Sequence, residues 1–528
     1  MQSDHNTRHQ GSVTSDQSEV FSFLGEPNTF RLPFPVKRID THGAVVFLAG
    51  AEAYKVKRAV RFPFMDFSSL EKRRAACEAE IAVNKTNAPD IYLGTVPIAR
   101  TANGLSLGGP GEVIEWAVHM RRFDENNTLD RVADREALTL DMVAKLARVI
   151  LSSHERAPHR DGEAATAALE RYLDQNEEAF AGDPDLFDTR QAAQLACDAR
   201  TSLASVRDLL IGRGKAGFVR RCHGDLHLRN IVSVSRSEPV LFDAVEFDDE
   251  VATGDVLYDL AFLLMDLEER GLHRAGNVLL NRYLWDSDEA QFCGLAALPV
   301  FLSIRSAIRA KVVAAGHQHL HGEELDRARK EARRYFQFAD EFLQPTPCRL
   351  IAVGGLSGTG KSTLAAELAP RFGRRPGAVL LRSDIERKKL FGAAETAPLS
   401  GDAYSEVATQ NVYAQLRGKA SSVLKAGHSV VVDAVHARQD ERGAIEDVAR
   451  GLRVDFSGLW LDAPLSVCLE RVAARKADAS DADAGVVRAQ AFRDVGPVTW
   501  QRLDVSGSDL PNTLAAARLL LAGPAPPT

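Results

Sequence analysis

From Gly355 to Ser362 the chain reads Gly-Leu-Ser-Gly-Thr-Gly-Lys-Ser, which satisfies GxxxxGK[ST] at every fixed position. An apolar run, RLIAVGG, leads into it and a helix-forming run, STLAAELA, follows. This context predicts a buried strand, a tight loop and a helix N-terminus in succession. Glycines let the backbone curl so that successive N–H groups point inward at phosphate oxygens. The helix end adds partial positive charge, Lys361 reaches the outer phosphates of a nucleotide, and Ser362 is placed to ligate Mg2+. The expected nucleotide-binding residues are therefore Gly355, Ser357, Gly358, Thr359, Gly360, Lys361, Ser362 and Thr363.

A chain of 528 residues exceeds what one hydrophobic core usually serves, so two or more domains are expected. Residues 1–20 are polar and read as a disordered tail. Strand patterns between about 30 and 120 form a β-rich small lobe, and mostly helical patterns from 121 to 343 form a large lobe. Gln344-Pro345-Thr346-Pro347 breaks the helical pattern, which puts a linker at 344–348. Strand and helix then alternate over 349–505, the pattern of a mostly parallel α/β sheet. Residues 506–528 read as a C-terminal helix and a frayed Pro-rich tail.

The net charge of −7 speaks against a nucleic-acid partner, and the P-loop region itself has 23 Lys and Arg against 20 Asp and Glu. Six scattered cysteines without a CxxC pair fit reduced thiols. No signal-peptide pattern and no run of about 18 apolar residues is evident, so a cytoplasmic chain without a membrane span is expected.

Beyond the glycine loop, Asp433 ends the apolar strand Ser429-Val-Val-Val-Asp433, where a ligand for a Mg2+-bound water belongs. Capping of the next turn is the alternative. Asp384, in Arg382-Ser383-Asp384-Ile385-Glu386-Arg387, is a candidate base for an acceptor hydroxyl, with Arg387 one turn on to hold an anionic group. A helix N-cap at Ser383 or Asp384 is the rival reading. Arg471 and Arg475 share a helix face and could clamp a transferring phosphoryl group; a solvated basic face would look the same. Together these residues resemble the P-loop kinases that include gluconate kinase, shikimate kinase and zeta-toxin-like enzymes. The resemblance covers about 349–505 and implies transfer of the ATP γ-phosphate to a small-molecule hydroxyl.

A second constellation surrounds His223-Gly-Asp225-Leu-His-Leu-Arg-Asn230, followed by an apolar strand ending in Leu241-Phe242-Asp243. One Asp to position an acceptor hydroxyl, with an Asn and a second Asp to hold Mg2+, is what phosphoryl transfer requires; Asp225, Asn230 and Asp243 have that spacing. This looks like the aminoglycoside phosphotransferase family of the protein-kinase-like fold, whose loop is HGDxxxxN followed by an IDxE-type strand, here Phe242-Asp243-Ala244-Val245-Glu246. Gly254-Asp-Val-Leu-Tyr-Asp259-Leu-Ala continues the match. The resemblance implies that His223 and Asp259 support the loop. It also implies a phosphate-holding lysine, Lys55 or Lys57, with Lys57 preferred because Tyr54-Lys55-Val56-Lys57 lines up with the kinase pattern VAIK, Glu80 as its partner, and a hinge at Ile114–Met120. No GxGxxG covers the phosphates.

The expectation is an α+β kinase-like domain followed by a P-loop α/β domain. It would be an ATP- and Mg2+-dependent phosphotransferase with two ATP sites, acting on small-molecule hydroxyls. The alternative is one catalytic P-loop domain with a regulatory or protein-phosphorylating kinase-like domain.

Overall fold

The computed structural model describes residues 12–62, 65–235, 238–316, 320–474, 479–507 and 509–522. They fall into two compact units, one up to Ala168 together with Ile211–Leu263, the other Leu169–Leu210 together with Leu264 onward.

In the first unit a six-stranded antiparallel sheet runs in the order Lys37–Asp40, Ala44–Ala49, Glu52–Lys57, Glu112–Arg121, Tyr92–Thr101, Gly104–Leu107. Alternation along these strands turns Val45, Phe47, Tyr54 and Val56 into a buried cluster. Helix Leu70–Asn84, capped by Ser69, brings Glu80 to the sheet. Two antiparallel pairs, Val219–Arg221 with Thr253–Asp255 and Ile231–Ser235 with Glu238–Leu241, frame the His223–Asn230 loop.

The expected tail is structured from residue 12 on. Ser12–Val13 pairs with Val60–Phe62, and Ser18–Gly25 is a helix burying Val20 and Leu24. The Gln17 side chain donates to Lys57 O and Glu115 Oε2 and accepts from Ala59 N–H. A polar run hid a short amphipathic helix, because a few apolar residues suffice to anchor it. Residues 1–11 lie outside the described residues. The expected hinge Ile114–Met120 lies inside strand Glu112–Arg121, paired on both sides from Ala117 on, and the strand ends only at Arg121. Its period-two alternation is that of a sheet interior.

The second unit holds a five-stranded parallel sheet in the order Val379–Arg382, Val430–Asp433, Arg349–Gly355, Asp455–Asp462, Gln501–Asp504. Ile351, Val353, Leu364, Val431 and Leu459 form its core. The strand Gln501–Asp504 was not foreseen; its four residues carry a single buried apolar side chain, Leu503. The stretch Gln291–Gly316 is long and apolar enough to cross a membrane, and 83% of its most apolar window is buried inside the protein, as in a core helix.

The compact units do not divide at 344–348, because helix His273–Asp286 belongs with the P-loop sheet. Val379–Arg382 is an edge strand whose outer backbone groups need partners. Asn277 donates to Ala378 O at 3.0 Å, Asn281 accepts from Leu380 N–H at 2.7 Å, and Trp285 donates to Leu380 O at 2.9 Å. Spaced i, i+4, i+8, these side chains stand in for a sixth strand. Asn281→Leu should therefore destabilise the second unit by about 1–3 kcal/mol, the cost of a buried unpaired amide N–H, read from urea unfolding of the full chain. An unchanged midpoint would refute this role.

Candidate functional site

In the first unit the loop is built on a glycine in the left-handed region. Gly224 has φ 81°, and an added Cβ would lie 3.0 Å from Ala252 Cα. Its N–H donates to Asp259 Oδ1 at 2.8 Å, and Asp259 Oδ2 lies 3.1 Å from His154 Nε2. His223 Nε2 donates to Phe242 O at 2.9 Å, while its Nδ1 faces Asp225 N–H at 3.3 Å. Burial pulls this imidazole below its ordinary pKa, consistent with a neutral ring that donates on one side and accepts on the other. His223 and Asp259 thus sit where loop support requires.

Asn230 Nδ2 donates to Asp225 O at 3.0 Å and to Asp225 Oδ2 at 2.9 Å, which leaves Asn230 Oδ1 without a protein hydrogen bond. Asp243, at φ 60°, is one of five non-glycine residues with positive φ among the described residues. Its N–H is held by Tyr92 Oη at 3.0 Å. The side chains of Asp225 and Asp243 are 41% and 42% exposed, so solvent and substrate can reach both.

Both candidate lysines converge on Glu80, which has no exposed surface. Lys55 Nζ lies 2.9 Å from Glu80 Oε1 and 2.7 Å from Asp243 Oδ1. Lys57 Nζ lies 2.5 Å from Glu80 Oε2, pairs with Glu246, and sits over the Phe67 ring. Burial depresses the Lys55 ammonium, but Asp243, Glu80 and Glu246 outweigh it and hold its pKa well above normal. Burial raises the Glu80 carboxyl, and the two lysines more than reverse that. Lys55 is the lysine that reaches Asp243; Lys57 is 3% exposed and enclosed.

In the second unit, Gly355, Gly358 and Gly360 have φ of 134°, 88° and 90°. At Gly358 a Cβ would meet Cys468 O at 2.6 Å, so the close approach of the next helix requires glycine there. The helix starts at Lys361. Lys361 Nζ is folded onto Leu356 O at 2.9 Å, and Ser357 N–H donates to Gln490 Oε1 at 2.8 Å. A cavity of about 770 Å3 is lined by the loop from Ser357 to Thr363 together with Asp384, Arg387, Asp433 and Arg471.

Asp433 ends its strand and lies 3.4 Å from Arg382 Nε. Asp384 lies in the first turn of helix Ser383–Leu390, which has no side-chain cap, so the N-cap rival is not realised. Burial first, and the Asp433 charge second, raise the Asp384 carboxyl above its ordinary value. Arg387 is buried, donates to Ala403 O and stacks on Tyr404 at 4.9 Å. Arg471 donates to Thr359 O at 3.2 Å and Val505 O at 2.7 Å, which ties its guanidinium to the glycine loop. Arg475 lies outside the described residues. Gln490, Arg493, Tyr404 and Ser480 also line the cavity but were not foreseen, because no spacing rule links a polar lid to a glycine loop.

The model of the phosphotransferase enzyme family matches residues 45–293, and an AAA-domain model matches residues 350–494. The chain joins a domain of the phosphotransferase enzyme family to a P-loop kinase domain and is an ATP-dependent kinase. The uncharacterized protein Rv2004c of Mycobacterium tuberculosis is 30% identical over 476 residues, 89% of this chain and 92% of that protein. Uncharacterized protein Mb2027c of Mycobacterium bovis matches over the same lengths at 30% identity. Among solved structures, a choline/ethanolamine kinase family protein from Mesorhizobium loti is 13% identical, covers 59% of this chain and 89% of its own, and has a TM-score of 0.35. A gluconokinase from Sinorhizobium meliloti is 22% identical over 34% of this chain and 94% of its own, with a TM-score of 0.25.

Removing one buried charge should separate the two lysines. Lys57→Met leaves Glu246 and half of Glu80 without a cation and should cost about 3–5 kcal/mol in unfolding of the full chain. Lys55→Met, at a more exposed position, should cost clearly less; equal losses in urea titrations would contradict the asymmetry.

Proposed function

We propose that the chain carries two ATP sites, one in each unit, and that each transfers the γ-phosphate to a hydroxyl group of a small molecule. The observation that carries this reading is the convergence, on one cavity, of the glycine loop, Lys361, Asp384 and Asp433. In the first unit the corresponding support is the network linking Lys55, Glu80 and Asp243, with Asn230 on Asp225.

At the P-loop site the backbone N–H groups and Lys361 cradle the phosphates, while Asp384 accepts the acceptor's proton. Arg387 and Arg493 also line the cavity, which favours an acceptor with an anionic group beside its hydroxyl. Arg471, tied to the loop carbonyls, shapes the nucleotide side. In the first unit Asp225 orients the acceptor hydroxyl, and Lys55, rather than Lys57, meets the phosphates because it is the lysine within reach of Asp243. Lys57 and Glu246 keep Glu80 charged and in place.

Mg2+ fits both sites. Asn230 Oδ1 has no hydrogen-bond partner among the described residues, and Phe242, the residue before Asp243, donates its N–H to Asn230 O; Ser362 and Asp433 share the cavity. When bound, the ion would neutralise phosphate charge. The six cysteines are all free thiols, which suits a reducing, cytoplasmic setting.

A second reading makes the first unit regulatory or directed at proteins. It is favoured by the turn Thr41-His42-Gly43, which is too short for a glycine-rich flap, and by the closure of Lys55 on two carboxylates.

Lys361→Ala should abolish turnover at the P-loop site and spare the other, whereas Asp225→Ala should lower first-unit turnover by about 10²–10⁴ with ATP affinity retained. Phosphorylated products in a metabolite extract, followed by mass spectrometry in each variant, would report this. Joint loss in either variant would show that the sites are not independent, and a silent Asp225→Ala would favour the regulatory reading. Because the Asp384 pKa is raised, Lys361-dependent turnover should fall with acid through a midpoint above the ordinary aspartate value of about 3.9. A pH profile flat down to that value would exclude Asp384 as the base.

A further inference from the structure

Two helices hold the glycine loop from outside, and each touches it through a different kind of group. Helix Leu465–Ala473 lies against Gly358 through Cys468, and its Arg471 donates to Thr359 O at 3.2 Å. Helix Ala484–Ala491 reaches the loop through a side chain: Ser357 N–H donates to Gln490 Oε1 at 2.8 Å. The other end of the same peptide group, Leu356 O, accepts from Lys361 Nζ at 2.9 Å. The lysine of such a loop serves the β- and γ-phosphates. Gln490 therefore meets the loop one peptide group away from the cation that marks the place of the terminal phosphates.

The direction of the carboxamide follows from that contact. A backbone N–H donates and does not accept, so the atom facing Ser357 is the oxygen, and the two Nε2 hydrogens point away from it. Nε2 has no hydrogen-bond partner among the described residues, and Gln490 lines the cavity together with Lys361 and Ser362. The helix that carries it is fixed on both flanks. Before it, Asp481 accepts from Lys388 Nζ at 2.6 and 2.7 Å, and Lys388 is 2% exposed. After it, the equally buried Arg442 donates to Val495 O at 2.7 Å and to Pro497 O at 3.0 Å. A carboxamide held by the loop, on a segment pinned at either side, is a preorganised donor rather than a freely turning side chain.

We propose that Gln490 binds the terminal phosphate of ATP at the P-loop site, with Oε1 kept on the Ser357 amide and Nε2 donating to a γ-phosphate oxygen. The proposal rests on the reading of this cavity as a nucleotide site. Lys361 supplies charge there without direction, and the fixed carboxamide supplies direction. ADP lacks the group that Gln490 meets, so this side chain adds affinity for ATP over ADP and aligns the γ-phosphate for transfer.

The test uses the full chain and reads occupancy by hydrogen exchange in peptides that cover the glycine loop, so that the first unit's site does not enter. Protection is titrated with Mg2+ and either ADP or AMP-PNP, whose γ-phosphate is not transferred. In Gln490→Leu the midpoint for AMP-PNP should rise about tenfold or more, as for a lost hydrogen bond to a charged group, while that for ADP moves about twofold at most. Gln490→Glu keeps an oxygen for Ser357 but replaces the donors with charge, and it should again weaken AMP-PNP more than ADP. Equal loss of both nucleotides reduces Gln490 to a support of the loop and overturns the proposal. Unchanged midpoints overturn it, and so does tighter binding in Gln490→Leu, which would show the side chain competing with phosphate for the Ser357 amide. If the unaltered chain shows no protection of the loop with either nucleotide, the nucleotide reading of the cavity falls as well.

Discussion

Glu80 has no exposed surface, yet it stays ionised because two ammonium groups meet it from one strand. Most features of the first unit follow from that requirement. Lys55 and Lys57 are two residues apart, so the period of a strand puts both on one face. Helix Leu70–Asn84 has to approach that face closely enough to seat its carboxylate between them. The enclosed lysine, Lys57, needs a further anion, supplied by Glu246, and the more exposed one, Lys55, reaches Asp243. A charge chain of three carboxylates and two ammonium groups results. Removing one member strands its partners in a medium of low polarity, whereas exchanging Asp243 for a phosphate at Lys55 replaces one anion by another. The arrangement is thus rigid toward deletion and permissive toward a nucleotide.

The same rule, that buried polar groups require partners, shapes the second unit through its backbone. The edge strand Val379–Arg382 leads directly into Asp384, and its outer amides are satisfied by Asn277, Asn281 and Trp285 from one helix face. Arg282 extends the contact to Glu395, and Lys419 pairs with both Glu386 and Glu289. Residues 273–295 therefore brace the helix that carries Asp384 and Arg387. The phosphotransferase family match runs to residue 293, so the sequence module and the compact unit overlap over these helices.

Much of this was legible because local chemistry specified it. The Gly355–Ser362 loop, the four strands around it and the His223–Asn230 loop each depend on residue types at fixed short spacing. What escaped the sequence depended on tertiary context. Nothing in Tyr54-Lys55-Val56-Lys57 distinguishes the two lysines; the neighbouring Asp243 and Glu246 do, nearly 190 residues later. Gln17 looked like part of a polar tail until three buried hydrogen bonds placed it. The helical grouping of 264–343 with the P-loop sheet was hidden because asparagines that satisfy an edge strand resemble ordinary polar positions on a helix. A proline-rich segment such as 344–348 marks where a helix stops, which need not be where packing stops.

Acceptor choice lies furthest from any motif. In the proposed reaction Lys361 and the glycines would serve every nucleotide phosphate alike, and Asp384 any hydroxyl placed beside it. Discrimination must therefore come from groups that fix position: Arg387 against Tyr404, and Asp481 held by Lys388, Tyr404 and the Leu399 amide. The Lys388–Asp481 pair joins the Ser383–Leu390 helix to a segment 93 residues further on. Selectivity at this site is then a question of reach, of how far an acceptor hydroxyl can extend toward Asp384 while its remaining polar groups are met by Arg387 and Arg493.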